Sequence, residues 1–196
     1  MNIKEITVGF ALTGSFCTFQ KVIPIVIELV NEGAKVVPIM SENAFAIDTR
    51  FGKAEEFIKQ LEEISGVKVI SSIETAEPIG PRALLDVIVV APCTGNTLGK
   101  LANAITDTSV TMAVKGHLRN QRPVVIALST NDGLSASAKN IGLLLNRKNI
   151  YMVPFQQDDP EKKQNSLVAK MDLIIPTLKM ALEGKQIQPV LLGSKE

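Results

Sequence analysis

Two short segments of this chain carry side chains of the kinds that bind an anion. Thr13-Gly14-Ser15 follows the first apolar run, and Pro92-Cys93-Thr94-Gly95-Asn96-Thr97 follows a later run that is apolar throughout. Hydroxyl, amide and glycine residues that open onto a helix N-terminus present hydrogen-bond donors suited to a phosphate. Because ligands of open α/β sheets bind beyond the carboxyl ends of the strands, we expect both segments to border one site.

Each segment also has a purely structural interpretation. The first can be an ordinary tight turn, and the second can simply cap the helix that follows it, with Thr94 as the N-cap. Gly14 does not belong to a G-x-G-x-x-G pattern, so the spacing does not indicate a standard dinucleotide-binding fold.

The elements that must position these segments follow from the periodicity of the apolar residues. Strands are predicted over residues 6–12, 35–40, 67–70, 87–91, 124–128 and 150–153. Helices are predicted over residues 19–31, 51–64, 95–105, 110–115, 141–145 and 166–183. This alternation predicts an α/β fold with a single doubly wound parallel sheet and right-handed crossovers. We expect residues 1–196 to form one domain with a short C-terminal tail from about 184.

Three residues mark special positions in this pattern. Pro38 inside the second strand predicts an edge or irregular position, Gly33 predicts a helix C-terminus, and Pro176 predicts a break or kink in the last helix. Three segments that are polar or rich in turn residues are predicted to be loops, at 71–81, 129–137 and 156–165. The last loop could close over a ligand or be an ordinary connection, and the apolar run 189–192 could dock on a neighbouring molecule.

The composition excludes several classes of protein. The chain has 196 residues, a net charge of +1, one Tyr and no Trp, so it lacks the basic surface and the stacking residues typical of nucleic-acid binding. No apolar run approaches the ~18 residues that span a bilayer. Residues 1–5 lead directly into the first predicted strand, so we expect no secretory leader. Two cysteines cannot build a disulfide framework, which fits a reducing cytoplasm. The single histidine and the lack of clustered ligands predict neither a metal site nor a Ser-His-Asp triad.

Together the two segments resemble the FMN-binding flavoprotein family, which includes peptidyl-cysteine decarboxylases, phosphopantothenoylcysteine decarboxylase and flavin prenyltransferases. The family has a Gly-x-Thr-Gly-Ser opening and a Pro-Ala-Ser-Ala-Asn-Thr-like loop, and this chain has Thr13-Gly14-Ser15 and the loop from Pro92 to Thr97. Residues 100–107, Lys-Leu-Ala-Asn-Ala-Ile-Thr-Asp, are similar to the family's Lys-Leu-Ala-Asn-Gly-Ile-Ala-Asp. The resemblance covers most of the chain and implies a Rossmann-like, three-layer flavoprotein fold.

The resemblance also implies a set of cofactor-binding residues. Gly14 and Ser15 would bind the FMN phosphate, and Ser41 would approach the flavin or its ribityl chain. Four residues of the second segment would line the rest of the cofactor, namely Pro92, Thr94, Asn96 and Thr97. Asp107 would hold the motif in shape.

Further runs resemble one subgroup of this family, whose members work beside a nicotinamide-dependent partner protein in spore-forming bacteria. These runs are residues 91–107, 118–123, 129–134, 139–146, 149–151, 153–155 and 157–163. The resemblance implies oxidation of a dihydropyridine dicarboxylate, with FMN on this chain and NAD or NADP bound by the partner. It also implies a homo-oligomer, either a trimer or a dodecamer. Two alternatives are a non-catalytic protein that binds a ligand or activates the partner, and an FMN-dependent enzyme similar to the decarboxylases or prenyltransferases.

This chain departs from the decarboxylases at two places. They carry a catalytic His after the second strand, whereas residues 41–52 contain none, and their Pro-Ala-Met-Asn-like segment is replaced at residues 127–132. Decarboxylation of a peptidyl cysteine is therefore not expected, and His117, the single histidine, is predicted to lie on the surface. Cys17 and Cys93 fall in the two loops, where small, partly buried apolar fillers are favoured over reactive thiols.

A dicarboxylate substrate requires cationic partners, and arginine offers paired hydrogen bonds to a carboxylate. Arg50 is the candidate catalytic residue, because it falls in the segment that replaces the family's histidine. Lys53, Arg82 and Lys139 are further candidates near strand ends. Taken singly, each of these four side chains is better interpreted as a solvated surface charge.

Overall fold

A seven-stranded sheet positions the two loop segments. The structure is a computed structural model that describes residues 2–193, so Met1 and the end of the predicted tail, 194–196, lie outside it. The strands are β1 Thr7–Leu12, β2 Lys35–Met40, β3 Val87–Cys93, β4 Val124–Thr130, β5 Ile150–Met152, β6 Phe155–Asp159 and β7 Lys163–Ala169. Their order in the sheet is β2-β1-β3-β4-β7-β6, with β5 paired to the first half of β4. The helices are α1 Phe19–Asn31, α2 Glu42–Ala46, α3 Ala54–Ser65, α4 Ile73–Ala76, α5 Gly95–Ala102, α6 Ser109–Arg119, α7 Ala138–Leu145 and α8 Ile174–Leu182.

The first five strands form the parallel part of the sheet that the sequence predicts. All seven residues of β3 are buried, as expected for a central strand that is covered on both faces. α1 and α8 contact each other in one layer, while α5 contacts both α6 and α7 in another. The α/β prediction with its helix–sheet–helix layering is therefore confirmed.

The end of the sheet beyond β4 is antiparallel, which the sequence analysis did not predict. Residues 156–165 were expected to be a loop and 166–183 a helix, but β6 and β7 form a hairpin whose second strand pairs with Ser129 and Thr130. The exposed residues of the hairpin are polar, so the two strands show no continuous apolar run of the kind that predicts a buried strand. α8 begins only at Ile174, and Pro176 sits in its first turn, where the missing N–H costs no intrahelical hydrogen bond.

Two predictions around β2 have different outcomes. β2 is an edge strand, as Pro38 indicated, and Gly33 follows α1 at a φ of +87°, as expected of a glycine that ends a helix. The strand predicted over 67–70 is wrong, since only a bridge between Ile39 and Ile70 forms there. Too few residues pair to make a strand.

Several helix boundaries also differ from the sequence prediction. α3 begins at Ala54 rather than at residue 51, because the Asp48 carboxylate accepts the Ala54 N–H at 2.9 Å and sets the first turn. The predicted helix 95–105 ends at Ala102, and α6 is a separate helix because Thr108 caps it. The predicted loop 71–81 contains α4 and a 3-10 turn that packs on α6.

The C-terminal run 189–192, which could have docked on a neighbouring molecule, pairs with β6 of its own chain. The Phe155 N–H donates to the Val190 carbonyl at 3.0 Å, and the Leu192 N–H donates to the Phe155 carbonyl at 2.9 Å. The edge of the hairpin is thus partly covered from within the chain. Within residues 2–193, no helix is both long enough and apolar enough to cross a membrane.

His117 is buried in α6, so the prediction of a surface histidine is wrong. Its side chain is 1% exposed, and its Nε2 lies 3.0 Å from the Pro123 carbonyl oxygen. Because a carbonyl can only accept, Nε2 carries the proton and donates it. Burial lowers the pKa of His117 from 6.5 to about 4, so the imidazole is neutral near pH 7.

The depressed pKa of His117 predicts a loss of stability in acid. The unfolded chain takes up the proton first, so the free energy of unfolding falls as the pH drops from 6.5 towards 4. The slope is at most about 1.4 kcal/mol per pH unit. His117→Gln keeps a donor for Pro123 and removes the titration, so its urea-denaturation midpoints should vary less over this interval. Parallel pH profiles for the two proteins would contradict the assignment.

Candidate functional site

Thr13 joins the loops that follow β1 and β3. Its side chain is 1% exposed, donates to the Pro92 carbonyl at 2.7 Å and accepts from the Thr94 N–H at 3.0 Å. Because both roles of this buried hydroxyl are filled, the two loops are held at a fixed distance. Thr13 belongs to the predicted anion-binding segment, but its role in joining the two loops depends on contacts 79 positions away that local sequence does not show.

Three hydroxyl groups meet beside this junction, from two strand ends that are far apart in the sequence. Ser15 Oγ lies 2.9 Å from Ser129 Oγ and 3.2 Å from Thr18 Oγ1, and the last two oxygens are 3.3 Å apart. Ser15 was expected at a ligand site, whereas Thr18 and Ser129 were not. A hydroxyl rotates freely between donor and acceptor roles, so this cluster can adapt to a bound oxyanion.

The N-terminus of α5 supplies backbone donors next to these hydroxyls. Thr94 is the N-cap, as predicted, and its Oγ1 accepts the Thr97 N–H at 3.2 Å. The N–H groups of Gly95 and Asn96 belong to the first turn, where an α-helix provides no internal acceptor. Two such N–H groups together with the positive end of the helix dipole have the arrangement that binds anions in other proteins.

Two adjoining cavities, together called the trough here, share Gly14, Thr94 and Asn96 in their walls. The larger has a volume of about 560 Å³ and extends to the β6–β7 hairpin. The smaller has a volume of about 380 Å³ and extends to α2. Six of the seven predicted cofactor-binding residues line the trough: Gly14, Ser15, Ser41, Thr94, Asn96 and Thr97. Pro92 is buried in β3 and lines neither cavity.

The smaller cavity has an acidic wall with one cation. Ser41 caps α2 by accepting the Ala44 N–H at 3.3 Å, and Glu42 Oε1 accepts the Ser109 N–H at 2.8 Å. Lys100 lies 2.8 Å from Asp107, and this hydrogen-bonded ammonium holds the pKa of Asp107 below its usual value. Glu42 Oε2 is buried and has no hydrogen-bond partner among residues 2–193, so an acceptor at this wall is unused.

The larger cavity is bordered by the hairpin, which contributes Asp158 and Lys163. The Lys163 ammonium lies 2.6 Å from the Asp158 carboxylate, and this hydrogen bond raises the pKa of Lys163. Phe51 also lines the cavity and offers an aromatic face. Lys163 is not among the predicted site residues, because the sequence predicts a loop over 156–165. The turn residues Asp159-Pro160 between two polar stretches are the feature that could have indicated a hairpin.

The four cationic residues predicted to bind a dicarboxylate do not line the trough. Arg50 is exposed and stacks over the ring of Phe51 at 4.9 Å from its centroid, so it borders the trough only through that ring. Lys53 precedes α3 as its N-cap, and Arg82 and Lys139 are exposed. None of these four side chains is among the described residues that line the trough, whereas Lys100 and Lys163 are.

The two cysteines have opposite environments. Cys93 is 0% exposed in β3, and burial raises the pKa of its thiol to about 12, as expected of an apolar filler. Cys17 is exposed and lines the larger cavity, so the prediction of a partly buried filler is wrong for this residue. The 3-10 turn before α1, Phe16–Thr18, turns the Cys17 side chain away from the core.

This contrast predicts selective labelling of the thiols. In the native protein an aromatic disulfide reagent should react with one thiol per chain, Cys17, because attack requires an accessible thiolate. Cys93 should react only after denaturation. The release of the coloured thiol product measures both numbers, and Cys17→Ser should make the native protein inert. Rapid labelling of two thiols under native conditions would contradict the buried position of Cys93.

The arrangement suits binding and orientation more than proton transfer. A row of hydroxyls and free N–H groups adjoins a cavity that has an aromatic wall and a lysine. No histidine lines the trough among the described residues, and within 2–193 no group of three or more His, Cys, Asp or Glu side chains could hold a metal ion. Such a site can hold a phosphate-bearing cofactor and an anionic substrate.

Comparisons with known proteins agree with this geometry. A family model described as Flavoprotein matches residues 1–178. The B subunit of dipicolinate synthase from Bacillus subtilis (strain 168) is 50% identical over 191 residues, which cover 97% of this chain and 96% of that protein.

Solved structures extend the comparison to the fold. The crystal structure of the dipicolinate synthase B subunit from Bacillus halodurans C is 46% identical, with a TM-score of 0.91 and coverage of 100% of both chains. DmrB from Burkholderia xenovorans in complex with FMN is 18% identical, with a TM-score of 0.69 over 91% of this chain and 96% of that chain. At that identity the second similarity shows the fold alone, and the three-layer architecture expected from the two loop segments is confirmed.

Proposed function

Because this chain belongs to the flavoprotein family, we propose that it binds FMN in the trough and acts as the B subunit of a dipicolinate synthase. In this role it works with the nicotinamide-dependent A subunit of that enzyme to oxidise dihydrodipicolinate to dipicolinate in sporulating bacteria. The observation that carries the proposal is the donor-rich trough at the carboxyl ends of β1 and β3. The choice of reaction follows the relative from Bacillus subtilis.

The residues of the trough fit FMN in size and in chemistry. Its two cavities, of about 560 and 380 Å³, fall in the range of about 300–1,000 Å³ typical of small-molecule sites. Gly14, Ser15 and the first-turn N–H groups of α5 would hold the phosphate. Glu42 Oε2 would accept a hydrogen bond from a hydroxyl of the ribityl chain. That bond would remove the free-energy cost of a buried acceptor without a partner.

The reaction requires the removal of two electrons and two protons from the dihydropyridine ring. The ring becomes aromatic when it loses a hydride and a proton. The nicotinamide of the partner protein would supply the hydride acceptor, and the proton would pass to solvent. FMN, when bound, supplies a second group able to accept a hydride. This chain's own contribution is to orient the substrate, for which Lys163 at the open side of the larger cavity offers a partner to a carboxylate.

Lys163 should therefore control the affinity for the dicarboxylate. We expect Lys163→Met to raise the KM of the two-component enzyme for dihydrodipicolinate by about tenfold, with little change in FMN affinity, because one charged hydrogen bond is lost. Lys163→Arg should retain most of the affinity. Steady-state kinetics with both components measure this effect, and Lys162→Met, at an exposed neighbour that does not line the trough, is the matched control. An unchanged KM in Lys163→Met would remove Lys163 from the substrate site.

A second candidate function is favoured by the lack of a histidine in the trough. The imidazole of His117 is held by Pro123 away from the trough. Since no histidine is among the described residues that line the trough, the chain could activate the nicotinamide-dependent partner and bind a ligand without taking part in the chemistry. A homo-oligomer, trimeric or dodecameric as the resemblance implies, is compatible with both functions.

The test begins with the absorption spectrum and flavin-fluorescence quenching of the purified chain titrated with FMN. FMN that occupies the trough should also slow the labelling of Cys17, which lines it. Production of dipicolinate is then followed for the chain alone, for the nicotinamide-dependent partner alone, for both, and for both with FMN, each with NAD or NADP.

Each outcome selects one function. Bound FMN that raises the rate of the two-component mixture supports the proposal. Full activity of the mixture without any flavin supports the activating role. Turnover by this chain alone with FMN, on a peptidyl cysteine or a prenyl phosphate, supports an enzyme similar to the decarboxylases or prenyltransferases. Failure to bind FMN overturns the proposed cofactor.

A further inference from the structure

A third cavity, called the basal pocket here, lies at the opposite end of the sheet from the trough. Its lining includes Gln121, just before β4, and Asn149, just before β5, so it borders the amino ends of these strands. Its volume is about 430 Å³, and it shares no lining residue with the trough. The proposed function does not involve this pocket.

The basal pocket is surrounded by cationic side chains that have no acidic partner among residues 2–193. Lys115 and Arg119 reach it from α6, and Arg147 and Lys148 reach it from the loop after α7. No acidic residue is among the described residues that line it, and none of the four side chains forms an ion pair within residues 2–193. The whole chain carries a net charge of only +1, so this is a local concentration of positive charge.

One of these cations is held in place by the backbone. The Arg147 guanidinium donates to the Leu101 carbonyl at 3.0 Å, which spans the end of α5 and the loop after α7. Its remaining N–H groups stay available to a ligand, because a guanidinium has five donors. A carboxylate or phosphate can therefore bind to it without reorganisation of the side chain.

The floor of the basal pocket is apolar. Leu101, Val114 and Leu118 are buried or half-buried there, while Ile105 is 47% exposed at the rim. An exposed isoleucine beside charged side chains is covered favourably by an apolar ligand body. A pocket with an apolar floor and a few converging polar groups is the usual form of a small-molecule site.

The backbone around the pocket adopts rare conformations. Ala104, Gln121 and Asn149 have φ values of 57°, 58° and 64°, and only two other non-glycine residues in the described part of the chain have positive φ. All three line the basal pocket. Such conformations are costly for residues with a Cβ and are concentrated at ligand sites.

From these observations we propose that the basal pocket binds a small organic anion that carries two or more carboxylate or phosphate groups on a flat, apolar body. The apolar body covers the floor between α5 and α6, and the anionic groups pair with Lys115, Arg119 and Arg147. A volume of about 430 Å³ suits a free metabolite better than a peptide segment, which would need a longer groove. This site is independent of the trough and of the flavin.

The test is isothermal titration of the FMN-saturated protein with isophthalate as the probe. Benzoate has the same ring with one carboxylate, glutarate has two carboxylates without a ring, and hexaglutamate represents an acidic segment of another protein. Lys115→Ala/Arg119→Ala removes two pocket charges. Lys4→Ala/Lys21→Ala removes two exposed charges elsewhere and serves as the matched control. Lys163→Met reports binding in the trough.

We expect a saturable isophthalate site whose affinity weakens by about tenfold or more in Lys115→Ala/Arg119→Ala and is unchanged in Lys4→Ala/Lys21→Ala. A second binding event that only Lys163→Met weakens belongs to the trough. Benzoate and glutarate should each bind more weakly than isophthalate. Absence of isophthalate binding overturns the proposal, as does equal weakening in the control variant. Hexaglutamate binding that exceeds isophthalate binding also overturns it and assigns the surface to an acidic protein segment.

Discussion

Replacing Gly95 with alanine is expected to weaken FMN binding by about 100-fold or more. Gly95 is the first residue of α5, and a Cβ there would lie 2.6 Å from Thr130 Oγ1, 2.7 Å from Asp132 Oδ1 and 2.9 Å from Ser137 Oγ. These side chains cannot simply move apart, because Asp132 Oδ1 accepts hydrogen bonds from both Thr130 and Ser137. The helix N-terminus must shift instead, and the N–H groups that would hold the phosphate shift with it.

The size of the effect follows from the number of donors that lose alignment. A hydrogen bond to a charged group contributes about 1.5–3 kcal/mol, and each 1.4 kcal/mol is a factor of ten in affinity. Two misaligned N–H groups therefore account for about 100-fold or more. Flavin-fluorescence quenching measures the affinity, and circular dichroism shows whether the variant is folded.

Two further variants separate this steric explanation from a general effect of alanine in α5. Gly99→Ala adds a Cβ to the same helix, where the nearest atom is the flexible amide of Asn140 at 3.3 Å, and should bind FMN normally. Asp132→Ala in the Gly95→Ala background removes one obstacle and frees Thr130 to rotate, so part of the affinity should return. If Gly99→Ala loses as much affinity as Gly95→Ala, the close contact is not the cause.

Replacing Gly116 with alanine is expected to lower the free energy of unfolding by about 1–3 kcal/mol, the usual cost of overpacking. α6 crosses the 3-10 turn Glu77–Ile79 at a point where two glycines meet, and a Cβ on Gly116 would lie 3.0 Å from Gly80 Cα and 3.1 Å from Gly80 N. These are backbone atoms, and the Gly80 carbonyl also accepts the Asn120 amide at 2.7 Å. The turn therefore has little freedom to retreat.

The matched control is Gly142→Ala in α7. Apart from the adjacent residues and the nearby backbone of α7 itself, no atom of residues 2–193 lies within 4 Å of the added Cβ. Only the higher helix propensity of alanine therefore acts, which should stabilise the protein by about 0.5–1 kcal/mol. The two glycine-to-alanine changes are thus expected to have opposite signs. Urea denaturation of both variants measures the difference, and stabilisation by Gly116→Ala would show that the crossing can open at no cost.

Local patterns in the sequence predict the parallel part of the fold well. α1 occupies residues Phe19–Asn31 as predicted, because its apolar face repeats at helical spacing and Gly33 ends it. β3 and the first five residues of β4 are continuous apolar runs, which are typical of parallel strands covered on both faces. In these elements the local preference and the buried position agree, so the sequence is sufficient.

The antiparallel hairpin shows where such patterns fail. β7 begins with the exposed, polar residues Lys163, Gln164 and Asn165, and its hydrogen bonds go to β6 and to the end of β4. His117 was misplaced for a related reason, since its burial depends on the Pro123 carbonyl and not on its neighbours in α6. Hydrogen-bond partners outside a segment do not change the spacing of apolar residues within it, so periodicity cannot reveal them.

Some features of the candidate site are likewise predictable from neighbouring residues, and others depend on the tertiary structure. The residue types at 13–15 and 92–97 already predict a capped helix N-terminus and an anion site, since a cap depends on groups only a few residues apart, such as Thr94 and Thr97. The pairing of Ser15 with Ser129, 114 positions away, and the place of Lys163 on the cavity wall follow from the order of strands in the sheet. That order depends on long-range packing and hydrogen bonds, so only the folded chain reveals which distant side chains share the trough.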